Sequence, residues 1–153
     1  MQLVNILSQD CTRSAVQCSS KKRILELISE IAAPKLEINA QIIFESLLAR
    51  EKMGSTGIGQ GIAIPHGKIS SQAKALGVLL TSEAPIEFDA IDKKPVDLFF
   101  ALLVPEDQCQ QHIATLSQVA SRLDNKQICK ELRQAKSDEI LFSLMTQEIE
   151  PGS

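Results

Sequence analysis

Apolar side chains recur at helical spacing in two segments near the start of the chain, which predicts two amphipathic helices. The first covers residues 24–32, with Ser19 or Ser20 as its N-cap and Pro34 as the residue that ends it. The second is predicted over residues 39–52, with Asn39 as its N-cap, and is followed by a glycine-rich break in the chain.

Four apolar runs in the middle of the chain have the continuous or alternating pattern of β-strands. They are a short run at 62–64, a continuous run at 76–81, an alternating hairpin arm at 86–88 and a long run at 96–104. The run at 76–81 is expected to be buried on both faces, and the longest run to lie at the centre of the sheet.

A helix is predicted to open at Pro105 and to carry His112, and two shorter helices are predicted over residues 127–135 and 137–147. Helices therefore precede, interrupt and follow the strands, without a regular alternation of strand and helix. This order predicts an α/β protein, a three-layer α/β/α sandwich in which helices flank a small mixed β-sheet.

Composition narrows the possible functions. With 153 residues, one domain is expected over residues 1–150, followed by a disordered tail at 151–153. The net charge of −3 argues against binding to nucleic acid, and phenylalanine is the only aromatic type, so a stacking platform for bases or sugars is not expected.

No apolar run approaches membrane-spanning length and the N-terminus lacks the basic start of a signal peptide, so a cytoplasmic protein is expected. The cysteines lack metal-ligand spacing and are expected to be reduced, small apolar fillers: Cys11, Cys18, Cys109 and Cys129.

The most distinctive segment runs from Gly57 to Gly67 and places His66, one of two histidines, after an apolar run. It is not a P-loop, which needs a Lys-Ser/Thr pair, nor a dinucleotide fingerprint, which needs its glycines between a strand and a helix. A histidine in this setting suits a covalently carried phosphoryl group, with backbone N–H groups of residues 57–61 around its oxygens. Residues 62–64 are expected to anchor His66, and Gly67 is expected to leave the backbone open on its far side.

Each candidate residue also has an ordinary structural interpretation. Taken alone, His66 is a turn histidine, Arg50 offsets the dipole at a helix C-terminus, and His112 is a surface residue. Glu51 is expected to form an i,i+4 pair or to lie on a solvated surface, with no chemistry of its own, and the charge run at 21–23 is expected to cap or solvate a helix start.

From Glu51 to Gly67 the chain resembles the active-site signature of the enzyme IIA family of the bacterial phosphoenolpyruvate-dependent phosphotransferase system, mannitol/fructose class. That signature begins with an acidic or amide residue, continues with an aliphatic and a small residue, and ends in aliphatic-Ala-aliphatic-Pro-His-Gly. Every position is filled without departure, by Glu51, Ile58, Gly59, Ile62, Ala63, Ile64, Pro65, His66 and Gly67.

Further segments resemble the nitrogen-regulatory branch of that family (IIA-Ntr), whose members are stand-alone IIA domains. These segments are residues 11–14, 20–23, 50–57, 88–92 and 95–105. The resemblance implies the mannitol/fructose-type IIA fold and a phosphocarrier that takes its phosphoryl group from an HPr-like carrier, in this branch the paralogue NPr. It also implies a regulator that reports its phosphorylation state to targets in nitrogen and potassium homeostasis.

The family's functional residues fall on three positions of this chain. The resemblance implies that His66 is phosphorylated on Nε2 and that His112 lies beside it and donates a hydrogen bond to the phosphoryl oxygens. It places Arg50 near the site, where the guanidinium would assist partner docking or hold charge. Transfer between two imidazoles needs positioning and charge stabilisation, so no cofactor, metal or nucleotide is expected.

Two other functions stay open alongside this one. A sugar-route IIA would pass the phosphoryl group to a fructose or mannitol IIB domain. A pure interaction module would bind its partner through an exposed helix face, with His66 as a structural residue. The oligomeric state stays open as well.

Overall fold

A long antiparallel pair of strands forms the centre of a mixed six-stranded sheet in the computed structural model, which describes residues 3–147. The strands are β1 (Thr12–Val16), β2 (Gly57–Gly59), β3 (Ile62–Ala63), β4 (His66–Ile69), β5 (Leu76–Ile86) and β6 (Val96–Pro105). The helices in this range are α1 (Lys21–Leu36), α2 (Ala40–Lys52), α3 (Ile113–Leu123), α4 (Lys126–Gln134) and α5 (Asp138–Thr146). Two 3-10 turns, Leu3–Asn5 and Gln9–Cys11, precede β1. The predicted tail at 151–153 lies outside the described residues, and a single domain over residues 1–150 stays a prediction.

The sheet has the strand order β1-β5-β6-β3-β2, and β4 also pairs with β6. β5 and β6 are antiparallel, whereas β1 is parallel to β5, and both β3 and β4 are parallel to β6. β3 and β4 follow one another along the same edge of β6, because β3 faces Leu98 and Phe99 and β4 begins opposite Leu102. The prediction of a mixed sheet is confirmed.

Buried side chains form two clusters, one on each face of the sheet. α1 and α2 contribute to the first cluster, and α3, α4 and α5 to the second. Alternate residues of β6 enter the two clusters: Phe99 and Ala101 the first, Phe100 and Leu102 the second, all fully buried. Every residue of β6 except Asp97 is buried. Because burying one large apolar side chain contributes about 2 kcal/mol to folding, this strand contributes strongly to the stability of the sheet. The three-layer α/β/α sandwich and the central place of the 96–104 run are confirmed.

The predicted N-caps of the first two helices are confirmed. The Ser20 hydroxyl accepts a hydrogen bond from the N–H of Arg23, and the Asn39 side chain accepts one from Gln41. The prediction that Pro34 ends α1 is wrong, since the helix continues to Leu36. Proline removes one backbone donor in the last turn, and the helix ends only where Glu37 takes a left-handed φ of 55°.

Two other predicted elements have different bounds. The hairpin arm predicted at 86–88 is not a separate strand, because β5 runs on to Ile86, which pairs with Val96. The helix predicted to open at Pro105 begins at Ile113 instead, since the chain is still paired in the sheet at Pro105. The two C-terminal helices lie within one or two residues of their predicted bounds.

Within residues 3–147, none of the helices has the length and apolar character needed to span a bilayer. The same part of the chain has no group of three or more His, Cys, Asp or Glu side chains arranged to hold a metal ion.

The four thiols are free and differ in burial, which predicts two reactivity classes. Cys11 and Cys129 are buried, and burial raises the pKa of both thiols, whereas Cys18 and Cys109 are half-buried. The thiolate is the reactive species, so alkylation of the native protein near neutral pH should be at least about tenfold slower at Cys11 and Cys129. Peptide mass spectrometry after timed labelling measures the four rates, and labelling in denaturant is the control, where the two classes should merge. Equal native rates would contradict the prediction.

Candidate phosphoryl-acceptor site

His66 is the first residue of β4 and follows a buried segment. Residues 62–65 are all buried, and the Pro65 carbonyl accepts a hydrogen bond of 2.9 Å from the N–H of Leu102 in β6. The expectation that the apolar run anchors His66 is confirmed. The imidazole is therefore attached to the central strand of the sheet through its own backbone, rather than carried on a mobile loop.

The two ring nitrogens of His66 have different partners. Nδ1 lies 2.9 Å from the carbonyl oxygen of Ile64, and Nε2 lies 3.1 Å from Nε of Arg50. A carbonyl only accepts and a guanidinium only donates, so the hydrogen sits on Nδ1 and the lone pair on Nε2. The tautomer that follows from these partners is the one in which Nε2 is the nucleophilic nitrogen.

Arg50 reaches His66 from the last turn of α2. Its Nη1 donates a hydrogen bond of 2.8 Å to the Gly54 carbonyl, and its Nε donates to the His66 ring. The guanidinium also lies where the helix dipole favours a cation. Arg50 thus combines the expected helix-end position with a direct contact to the candidate nucleophile.

His112 is the N-cap residue of α3 and is buried, with 5% of its surface exposed. Its N–H donates to the carbonyls of Gln108 and Cys109, and its Nδ1 lies 3.2 Å from Oγ1 of Thr115. The interpretation of His112 as a surface residue is wrong, because the turn after β6 folds its side chain inward.

One cavity of about 520 Å³ brings the three predicted residues together, since His66, Arg50 and His112 all line it. Much of the remaining lining is apolar, and two of these side chains are strongly exposed, Met53 at 83% and Ile113 at 57%. Lys68 adds a second cation to the wall. The site is a basic, histidine-containing pocket with an apolar rim, suited to a phosphoryl group presented by another protein.

The predicted backbone cradle at residues 57–61 is wrong, because none of these residues lines the cavity. The β2–β3 hairpin turns away from it. The Gln60 N–H donates to the Asp92 carboxylate, and its carbonyl accepts from Arg133. Hydrogen bonds from the N–H groups of Gln60 and Lys94 hold the pKa of Asp92 below its ordinary value. The glycines lie in the β2–β3 hairpin, where Gly59 and Gly61 adopt positive φ. The groups available to contact an anion at the site are therefore side chains.

The expected open space beside Gly67 is occupied by α2. A Cβ at this position would lie 2.7 Å from Oγ of Ser46 and 3.3 Å from the backbone nitrogen of Leu47. The missing side chain therefore lets α2 approach β4 closely, and α2 carries Arg50 towards His66.

Gly67→Ala is expected to separate α2 from β4 and to lower the free energy of unfolding by about 1–3 kcal/mol, the usual cost of overpacking. Urea denaturation measures the loss. In a Ser46→Ala background the nearest obstructing atom is gone, so the same substitution should cost less. An equal loss in both backgrounds would show that the contact with Ser46 is not its cause.

Glu51 is buried, with 7% of its surface exposed, and Lys21 forms an ion pair with it. The predictions that Glu51 lies on a solvated surface and that Lys21 belongs to a solvated helix start are both wrong. Lys22 and Arg23 are exposed as predicted. The first position of the signature, filled by Glu51, was the one sequence signal that marked this residue.

Comparisons with known proteins show which family the chain and its fold resemble. The family model described as "Phosphoenolpyruvate-dependent sugar phosphotransferase system, EIIA 2" matches residues 5–148. A nitrogen regulatory protein of Klebsiella oxytoca is 60% identical over 148 residues, covering 96% of this chain and 91% of that protein. The crystal structure of nitrogen regulatory protein IIA-Ntr from Neisseria meningitidis has a TM-score of 0.86 at 36% identity, covering 94% of this chain and 99% of the other. The mannitol IIA of Escherichia coli shares the fold, with a TM-score of 0.66 at 19% identity over 86% of this chain and 92% of the other.

Proposed function

Because the chain belongs to the EIIA 2 family of the phosphoenolpyruvate-dependent sugar phosphotransferase system, we propose that it is a phosphohistidine phosphocarrier of the nitrogen-related branch. It accepts a phosphoryl group on Nε2 of His66 from the HPr-like carrier NPr. The observation that carries this proposal is the Nε2 lone pair of His66, which lies in one cavity with Arg50 and His112.

The proposed step moves one phosphoryl group between two imidazole rings. The Nε2 lone pair of His66 attacks phosphorus, and the P–N bond of the carrier's phosphohistidine breaks, returning its electron pair to the carrier's ring. The His66 ring becomes cationic while Nδ1 keeps its hydrogen. The Ile64 carbonyl at 2.9 Å then accepts a stronger, charge-assisted hydrogen bond. No proton has to cross between the proteins during the transfer.

Arg50 and His112 stabilise the charge that arrives. A phosphoryl group brings a charge of about −1.5 to −2. The Nε–H of Arg50, which donates to the Nε2 lone pair in the structure, must leave that lone pair when the N–P bond forms. It then donates to a phosphoryl oxygen, and His112 donates a second hydrogen bond from its side of the cavity.

The apolar rim supports docking of a carrier protein at this cavity. Met53 and Ile113 present exposed apolar surface where a partner would sit, and contact there excludes water from the phosphorylated ring. The protein then signals its phosphorylation state, in the cytoplasm, to targets in nitrogen and potassium homeostasis. This regulatory role is supported by the similarity to proteins named nitrogen regulatory protein.

Incubation with phosphoenolpyruvate, enzyme I and NPr tests the proposal. The expected product has the mass of one added phosphoryl group, is labile in acid and stable in base, and shows a phosphorus–ring coupling assigned to Nε2 of His66. Omitting NPr is the control and should leave the protein unmodified. An acid-stable label, or no label with active NPr, would overturn the proposal.

A second arm of that experiment distinguishes the proposed function from the two alternatives, a sugar-route IIA and a pure interaction module. The phosphorylated protein is mixed with a fructose or mannitol IIB domain, and transfer should be much slower than from a dedicated IIA. Transfer at the dedicated rate would favour the sugar route. Target binding that ignores both phosphorylation and substitution of His66 would favour the interaction module.

A further inference from the structure

We propose that Glu51 is a positioning residue that holds the His66 ring in its Nδ1–H tautomer by fixing the backbone of Thr56 and Ile64. The inference rests on the proposed role of His66 as the phosphoryl acceptor. Glu51 itself contacts neither ring nitrogen of His66. Its effect on phosphoryl transfer is therefore indirect, through Thr56 and Ile64.

The Glu51 carboxylate organises the chain just after α2. Both of its oxygens lie 3.2 Å from the backbone nitrogen of Thr56, and Oε1 also accepts a hydrogen bond from the Thr56 hydroxyl. Thr56 is itself buried, with 5% exposed. A buried carboxylate that accepts several hydrogen bonds fixes the position of its donors.

Thr56 in turn holds the segment that contacts His66. Its carbonyl accepts a hydrogen bond of 3.0 Å from the N–H of Ile64. The carbonyl of the same Ile64 accepts from Nδ1 of His66 at 2.9 Å. A continuous series of hydrogen bonds therefore leads from Glu51 to the nitrogen opposite the reacting one.

The other ring nitrogen is tied to the same helix end. Arg50, which donates to Nε2 of His66, directly precedes Glu51 in the last turn of α2. Anchoring Glu51 at Thr56 therefore also fixes the backbone from which the guanidinium extends. One contact that defines the His66 tautomer therefore comes directly from Arg50, and the other, from the Ile64 carbonyl, is linked to Glu51 through Thr56.

Lys21 places a positive charge beside the buried carboxylate of Glu51. Its Nζ lies 2.9 Å from Oε2 of Glu51 and 4.6 Å from the centre of the Phe88 ring. The same Nζ donates to the Phe88 carbonyl at 3.4 Å and lies 3.7 Å from the exposed Asp89. The ion pair joins the start of α1 to the end of α2, so Lys21 has a stabilising role that is separable from the bonds to Thr56.

The inference is tested with a readout that a merely stabilising ion pair would not change. Nitrogen–proton correlation spectra of the two histidine rings report the tautomer in the unphosphorylated protein, at a pH where the rings are neutral. Glu51→Ala should shift His66 from a dominant Nδ1–H form to a mixture of tautomers. The maximal rate of phosphoryl acceptance from NPr should fall by about tenfold or more, with little change in KM for NPr.

Three comparison variants make the result specific. Glu51→Gln keeps one oxygen for the Thr56 donors and should recover most of the tautomer and the rate. Lys21→Met removes the ion pair but keeps the bonds to Thr56, and should lower stability while the tautomer persists. Leu132→Ala truncates a buried side chain in the cluster on the opposite face of the sheet and serves as the stability control, with tautomer and rate unchanged.

A wild-type tautomer and rate in folded Glu51→Ala would overturn the inference. If that variant does not fold, Glu51→Met removes both carboxylate acceptors but keeps a side chain of similar length, and an unchanged tautomer and rate there would overturn the inference equally. The spectra need no phosphoryl donor, so they test the positioning of the ring independently. Failure of His66 to accept a phosphoryl group would overturn the proposed function but leave the tautomer result intact.

Discussion

Phosphoryl uptake from NPr is expected to fall by more than about a thousandfold, to background, when His66 is replaced by alanine. The substitution removes the one atom that forms the new bond, and the ring nitrogen of His112 is buried at the N-cap of α3. The fold should persist, because the lost contacts are two hydrogen bonds, each contributing about 1 kcal/mol. Rapid-quench labelling gives the rate, and circular dichroism and thermal unfolding confirm the fold.

His112→Ala is the matched control for this result, since it removes the second histidine of the same cavity. That variant should still accept the phosphoryl group, but more slowly and with a shorter lifetime of the product. Labelling of His66→Ala at the wild-type rate would contradict the assignment. Loss of acceptance in His112→Ala, with His66 intact and unlabelled, would reverse the two roles.

Arg50→Lys is expected to slow phosphoryl acceptance by about a hundredfold, the effect of losing one preorganised donor at a site of developing charge. Lysine keeps the positive charge but has no Nε–H fixed beside the ring, so geometry rather than charge is removed. Arg50→Met removes both the charge and the Nε–H donor, so its rate of phosphoryl acceptance should be lower than that of Arg50→Lys. The measurement is the single-turnover rate at saturating NPr.

Lys52→Met provides the matched control for Arg50. Lys52 is exposed in the same last turn of α2, so its loss changes the net charge and the helix-end electrostatics equally without touching the cavity. Its rate should stay within about twofold of wild type, because exposed charges have small effects. Similar losses in Lys52→Met and Arg50→Met would show that the general charge of this surface, not the contact with His66, is responsible.

The sequence predicted the long elements well and the short strands poorly, for a physical reason. The apolar period of α2 and the run in β6 are local signals that tertiary packing only reinforces. β1, β2 and β4 are short, and the last two contain glycines. Their strand character comes from pairing with partners distant in sequence, which no local pattern records.

The candidate site was likewise predicted only in part from the sequence. His66 was recognisable from its position in the signature, and Arg50 and His112 from the resemblance to the family; the structure brings all three to one cavity. The roles of Glu51 and Lys21 were missed because a charged residue looks solvated until its partner is known. The prediction that residues 57–61 surround an anion was wrong because a glycine-rich sequence does not show which way its backbone N–H groups point. In the structure the N–H of Gln60 points to Asp92 instead.

The attachment of the Pro65 carbonyl to the amide of Leu102 has a practical consequence. Leu102 is fully buried in the middle of β6, and its amide is one hydrogen bond away from the residue that precedes His66. Addition of the proposed phosphoryl group to the imidazole should shift the resonance of that amide, and burial should protect the amide from solvent exchange. In isotopically enriched protein, the Leu102 amide should therefore report directly whether the proposed phosphoryl group is present on His66, without an attached probe.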